Sequence, residues 1–165
     1  MTQFQATIYI LWNKNYWMYF CLAIGFWVGS FFWQIMALPA ACITFTMFDL
    51  IGYESLPDDD KAHYPEGQFT VQSYRIIQVM FQLAILTILL SFWDWKIAVG
   101  FGIIHLTAGC DILYDLIGWY PVCRDKPRTW KRWTPLGWFK KEIYNFGYIA
   151  QAIIGLTVAI LLNVL

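Results

Sequence analysis

The chain has 165 residues, 59% of them hydrophobic and only 13% charged, with a formal net charge of zero. Soluble domains carry about 25% charged residues, so this shortfall and the long uncharged runs exclude an ordinary soluble domain and place the chain among membrane proteins. A net charge of zero suggests neither a nucleic-acid partner nor an acidic interaction tail.

Phe4 to Trp12 reads as a segment lying along the membrane surface, and Asn13-Lys14-Asn15 stops it short of the bilayer. No removable signal peptide is expected: Lys14, the first basic residue, follows an apolar stretch and no small-residue cleavage site comes next. The chain is expected to insert through its own helices.

Residues 16–53 are apolar almost throughout. As one helix this run would measure roughly 57 Å at about 1.5 Å per residue, against a hydrocarbon core near 30 Å. It has to break, and Pro39 places the break within 34–39, because proline suits a first helical turn and disfavours helix before it. The predicted helices are 16–35 and 38–53, the second either crossing fully or re-entering. Gly25 and Gly29 form a Gly-x-x-x-Gly, read as a packing face within the chain.

Residues 54–70 are an acidic loop containing Asp58-Asp59-Asp60-Lys61. Asp58, Asp60, His63 and Glu66 are able to ligate a divalent ion, but their spacing matches no calcium or zinc loop, so a solvated loop is expected. Residues 71–93 and 97–118 read as two apolar helices joined by Trp93-Asp94-Trp95-Lys96, and this hairpin is the stretch around which the rest is organised. Residues 120–141 form a basic connector, with Arg124, Lys126, Arg128, Lys131, Arg132, Lys140 and Lys141 against Asp125. Trp130, Trp133, Trp138 and Phe139 interleave with these cations, which suits an interfacial segment and puts the connector on the cytoplasmic side. Residues 142–163 are the last helix, with Gly155-x-x-x-Ala159 as a second small-residue face. Many Trp and Tyr residues stand at the ends of apolar runs, where amphipathic rings prefer the headgroup layer.

The fold class that follows is all-α: a single polytopic membrane helix bundle over 1–165 with four or five transmembrane helices. Five crossings satisfy the positive-inside rule better. No internal repeat is present. Cys21, Cys42 and Cys110 lie in apolar runs and read as small buried hydrophobes, Cys123 as a loop thiol, and there is no C-x-x-C.

The chemistry-bearing residues concentrate on the central hairpin. Arg75, Gln78 and Gln82 fall at i, i+3 and i+7, one face of the first helix, and Asp111 and Asp115 fall at i, i+4 on the second. A straight antiparallel hairpin puts Arg75 beside Asp115, Gln78 near Tyr114 and within reach of Asp111, and Gln82 one turn from Asp111. An ionised group near the bilayer centre costs about 2.5–3.5 kcal/mol even on the lenient insertion scale, so these groups must face protein or water. Asp49 and Glu142 are expected at similar depth. A plain structural pairing fixes helix register. The surplus of carboxylates offers another use, namely a divalent metal such as Mg held by Asp111 and Asp115 for a phosphorylated lipid, or a proton carried by one acid. The Asp-x-x-x-Asp pair is similar to acidic pairs of membrane enzymes that bind diphosphates through magnesium, but the other signatures of those families are absent. His105 lies close to mid-membrane on another face, as a neutral core histidine bonded to a helix carbonyl or to Thr87, or as a ligand or relay.

Two function classes follow. The first is a subunit or scaffold of a membrane assembly, with the bilayer and other membrane subunits or further copies of itself as partners. The second is a membrane enzyme on a lipid or isoprenoid substrate, with Asp111, Asp115 and His105 in catalysis and Arg75, Gln78, Gln82 and Tyr114 binding substrate. A proton or ion pathway is a third use of the same groups. No hydrolase, zincin or phosphate-loop motif is present.

Overall fold

A segment that leaves water must bond every peptide group within itself, and the apolar runs here do so as helices. The computed structural model describes Trp12 and residues 15–56, 69–120, 122, 134–139 and 143–165, with backbone only for 69–72. Every regular element among the described residues is helical. The possible ligands Asp58, Asp60, His63 and Glu66, the connector residues 123–133 and 140–142, and the surface segment before Trp12 lie outside the described residues.

In chain order the helices are α1 (Tyr16–Gly29), α2 (Ala37–Glu54), α3 (Phe69–Phe92), α4 (Trp95–Leu106), α5 (Gly109–Ile117), the short α6 (Pro135–Phe139) and α7 (Asn145–Val164), with a 3₁₀ turn at Gln34–Met36 before α2. Gln34–Glu54, Ser73–Phe92 and Asn145–Val164 are each long and apolar enough to cross a membrane, and α4 with α5 makes a fourth span if the bent pair counts as one. The chain thus has the build of a multi-pass all-α membrane bundle.

The first apolar run breaks earlier than its proline requires. Ser30 Oγ donates to the Trp27 carbonyl at 2.6 Å, and the amides of Phe32 and Trp33 both fold back onto the Gly29 carbonyl. A hydroxyl that competes for a carbonyl of the ladder weakens the helix locally, and here the two amides bonded to Gly29 turn the chain out of it. At 14 residues α1 is about 21 Å long and falls short of a full crossing. The residues that α1 gives up go to the second helix. The 3₁₀ turn feeds into α2, Pro39 sits in its first turn, and the combined 21 residues are long enough to span.

The second departure lies in 97–118, predicted as one helix. Here α4 ends at Leu106, α5 begins at Gly109, and their axes differ by 69°. Thr107 Oγ1 donates to the carbonyls of Ile103 and Ile104, and Ala108 takes a left-handed backbone at φ 66°, a conformation uncommon for a residue with a Cβ. No proline marks this break. Irregular backbone at membrane depth survives only where protein covers it, and Ala108 is fully buried in a cluster with Ile143 and Tyr148. The break also overturns the expectation that the 71–119 hairpin is the centre of the fold. That centre is α2, whose span is 56% buried against 11% for α3 and 28% for α7. It packs on α1, α3, α4 and α5, and supplies Ala37, Leu38, Ala41, Cys42 and Phe45 to the main core.

The turn into α4 is as predicted, and its cap is visible. Asp94 Oδ1 accepts from the Lys96 amide at 2.9 Å. Asp94→Ala is expected to cost about 1 kcal/mol, in the usual range for a lost N-cap. Detergent melting of the variant checks this, and a parent-like melting point counts against the cap.

The two small-residue faces diverge. Gly155 and Ala159 are buried against α4, as the Gly-x-x-x-Ala spacing predicts. Gly25 faces open space and Gly29 only approaches Met36, so the expected packing face of α1 is absent. Cys42 and Cys110 are core residues as expected, whereas Cys21 is exposed on α1.

Candidate functional site

The polar residues gather at the end of the bundle where α1 begins, α2 ends and α3 begins. The centre of the cluster is Asp49 on α2. Gln78 Nε2 donates to its Oδ1 at 2.7 Å, and the Tyr74 hydroxyl reaches both that oxygen and the Asp49 main-chain carbonyl, the latter at 2.8 Å. Tyr74 and Gln78 are one turn apart on α3, so one face of that helix delivers both donors. Gly52 makes this approach possible: a Cβ there would overlap the Tyr74 ring, standing 3.2 Å from its Cδ2.

A second carboxylate is engaged nearby. The Tyr120 hydroxyl donates to Glu54 Oε1 at 2.8 Å. Burial, followed by that hydrogen bond, pushes the Tyr120 phenol well above its ordinary range. Tyr120 stacks on Tyr114 with ring centroids 5.6 Å apart, and Tyr53 meets Tyr114 edge-on at 6.3 Å. Tyr16 is fully buried beside this group and its hydroxyl has no hydrogen-bond partner among the described residues.

These contacts correct the predicted hairpin pairing. Gln78 bonds Asp49, not Asp111. The register that placed Arg75 beside Asp115 assumed a straight helix through 107–109. With the 69° bend, α5 packs on α2, α4 and α7, while α3 packs on α2 and α4. Arg75 is exposed, Asp111 half-buried on the first turn of α5, and Asp115 only 2% exposed. Gln82 is half-buried one turn beyond Gln78. Thr46 Oγ1 donates to the Cys110 carbonyl at 3.3 Å, tying α5 to α2. Among the described residues, no group of three or more His, Cys, Asp and Glu side chains is placed to hold a metal ion.

His105 lies against aromatic rings. Its ring meets Phe45 edge-on at 4.8 Å and stacks loosely on Phe101 at 6.3 Å. Thr87, the hydroxyl considered as its partner, donates to the Leu83 carbonyl of its own helix.

Tyr74 and Tyr120 escaped the sequence reading. The spacing of Tyr74 and Gln78 was a usable signal, since a phenol joined the polar stripe at i, i+4. Nothing local marked Tyr120, whose partner is 66 residues away. No protein-family model, curated protein or solved structure matches this chain.

Proposed function

We propose that the chain is a non-catalytic subunit or scaffold of a membrane assembly, with the polar cluster knitting its helices together. The observation that carries this reading is the engagement of Asp49 by donors from another helix. Asp49 accepts from both Tyr74 and Gln78, so its carboxylate ties α3 to α2, as a group that knits helices together does. On this reading the polar end is cytoplasmic, because the basic connector follows Tyr120 directly. The exposed apolar flanks of α3 and α7 then face lipid and neighbouring subunits, or further copies of the chain. Purification in a mild detergent followed by mass spectrometry of co-purifying proteins tests the proposal. A stoichiometric membrane partner, or a defined homo-oligomer, is expected. A monomer that turns over an added lipid overturns it.

One observation favours a second reading. Half-helices that meet inside a membrane recur at polar substrate and ion sites, and Asp111 lies in the first turn of α5, just past such a meeting. In that case Asp111 and Asp115 act on a lipid or isoprenoid headgroup. Asp111→Asn and Asp115→Asn are then each expected to abolish lipid turnover or divalent-metal binding, measured on reconstituted protein. Unchanged activity in both variants removes the enzyme reading.

A further inference from the structure

The opposite end of the bundle holds a cleft of about 250 Å³ between α1, α2 and α3, lined chiefly by Trp27, Thr44, Phe81, Ala84, Ile88 and Trp93. Its walls present carbon. Trp27 Nε1 donates to Thr44 Oγ1 at 3.0 Å and Trp93 Nε1 to the Ser30 carbonyl at 3.3 Å, so both indoles are held by the protein. Ala84 creates the gap, being a small residue one turn from Phe81 and one turn from Ile88 on the same helix face. Phe48 stacks on Phe81 at 4.0 Å and holds that wall residue against α2. At the other end Trp27, Phe31 and Phe92 gather round Trp93, with centroids 5.2, 5.9 and 5.9 Å from it.

The dimensions select the occupant. Phe81 to Trp93 covers about 18 Å along α3, close to the depth of one leaflet in a core about 30 Å thick. Counting all the space between its walls, about 550 Å³, the slot is at most roughly 30 Å² in section over that length, whereas a helix about 10 Å across needs roughly 80 Å². A partner helix does not fit. Water is disfavoured, because it needs two or more polar partners, and with both indoles engaged the Thr44 hydroxyl is the one polar side-chain group left on the lining. We propose that this cleft is a binding site for one acyl chain of a membrane lipid, drawn from the leaflet on the Trp93 side, with its headgroup at the level of the aromatic rim.

Photolabelling tests this. The full chain is reconstituted in phosphatidylcholine vesicles containing a trace of phosphatidylcholine with a diazirine halfway along one acyl chain, and labelled peptides are mapped. Label on Trp27, Ala84 and Ile88 is expected several-fold above label on Ile153 and Ile154, which are well exposed on α7. Ala84→Phe, which fills the slot from a lipid-exposed position, is expected to bring cleft labelling down to the α7 level. Ala84→Val repeats the comparison with a smaller filling should the phenylalanine variant fail to fold. Equal labelling of the two faces in the parent protein means bulk lipid only and overturns the proposal. Cross-links between two chains through cleft residues overturn it in favour of a second copy.

Discussion

Replacing Gly155 by alanine is expected to destabilise the bundle by about 1–3 kcal/mol, the usual range for forcing extra atoms into a packed core. The cause is local and visible. A Cβ at 155 would overlap Thr107 Oγ1 and stand 2.6 Å from Thr107 Cβ and 2.8 Å from its Cγ2. Thr107 has little freedom to yield, because its hydroxyl is held by the Ile103 and Ile104 carbonyls and closes α4. The clash therefore falls on the α4–α5 joint, which α7 covers at this point. Thr107→Ala in the Gly155→Ala background is expected to recover part of the loss, with a coupling of about 0.5–3 kcal/mol between the two sites. Gly25→Ala is the control. It faces open space on α1, so it is expected to be neutral or to stabilise by up to about 1 kcal/mol through helix propensity. Unfolding of these three variants and of Thr107→Ala alone in mixed micelles checks the set. Equal behaviour of the Gly25 and Gly155 variants would show that α7 does not rest on Thr107.

The second large effect is expected at Asp49. Asp49→Ala removes the acceptor shared by Tyr74 and Gln78, and the loss is expected to be about 1–3 kcal/mol, as for a buried donor left without its partner. The two donors are affected unequally. Tyr74 keeps the Asp49 main-chain carbonyl, whereas the Gln78 amide loses the bond that ties it to α2. Tyr74→Phe and Gln78→Ala are each expected to cost less, about 0.6 kcal/mol and at most about 1.7, as single bonds between membrane helices do. Asp49→Asn keeps one acceptor oxygen and is expected to fall between parent and alanine. Because the donors share one oxygen, the Tyr74 and Gln78 losses are expected to be non-additive. A stability series measured by denaturant titration in micelles reads this directly. Asp49→Ala with parent stability would mean that the cluster does not hold α3 to α2, and would weaken the scaffold reading with it.

Composition and hydropathy alone determined that this is an all-α chain with the build of a multi-pass membrane protein, and they located four of its apolar segments to within a few residues. The reason is that desolvation leaves a single backbone answer, helix, and the length of an apolar run limits how often it crosses. Helical spacing also put Gln78 and the Gly155–Ala159 face at contacts between helices, because small and polar residues are costly to leave in lipid, while Asp49 was placed by its depth alone. Which of those groups meet is a different matter. The break at Thr107–Ala108 carries no proline and arises from a threonine hydroxyl and a left-handed alanine that α7 then covers. That one bend redirects Asp111 and Asp115 out of the hairpin register and leaves Gln78 to Asp49. Pairing of Glu54 with Tyr120, and of Asp49 with Tyr74, depends likewise on helices brought side by side from distant parts of the chain, so only the tertiary structure decided it.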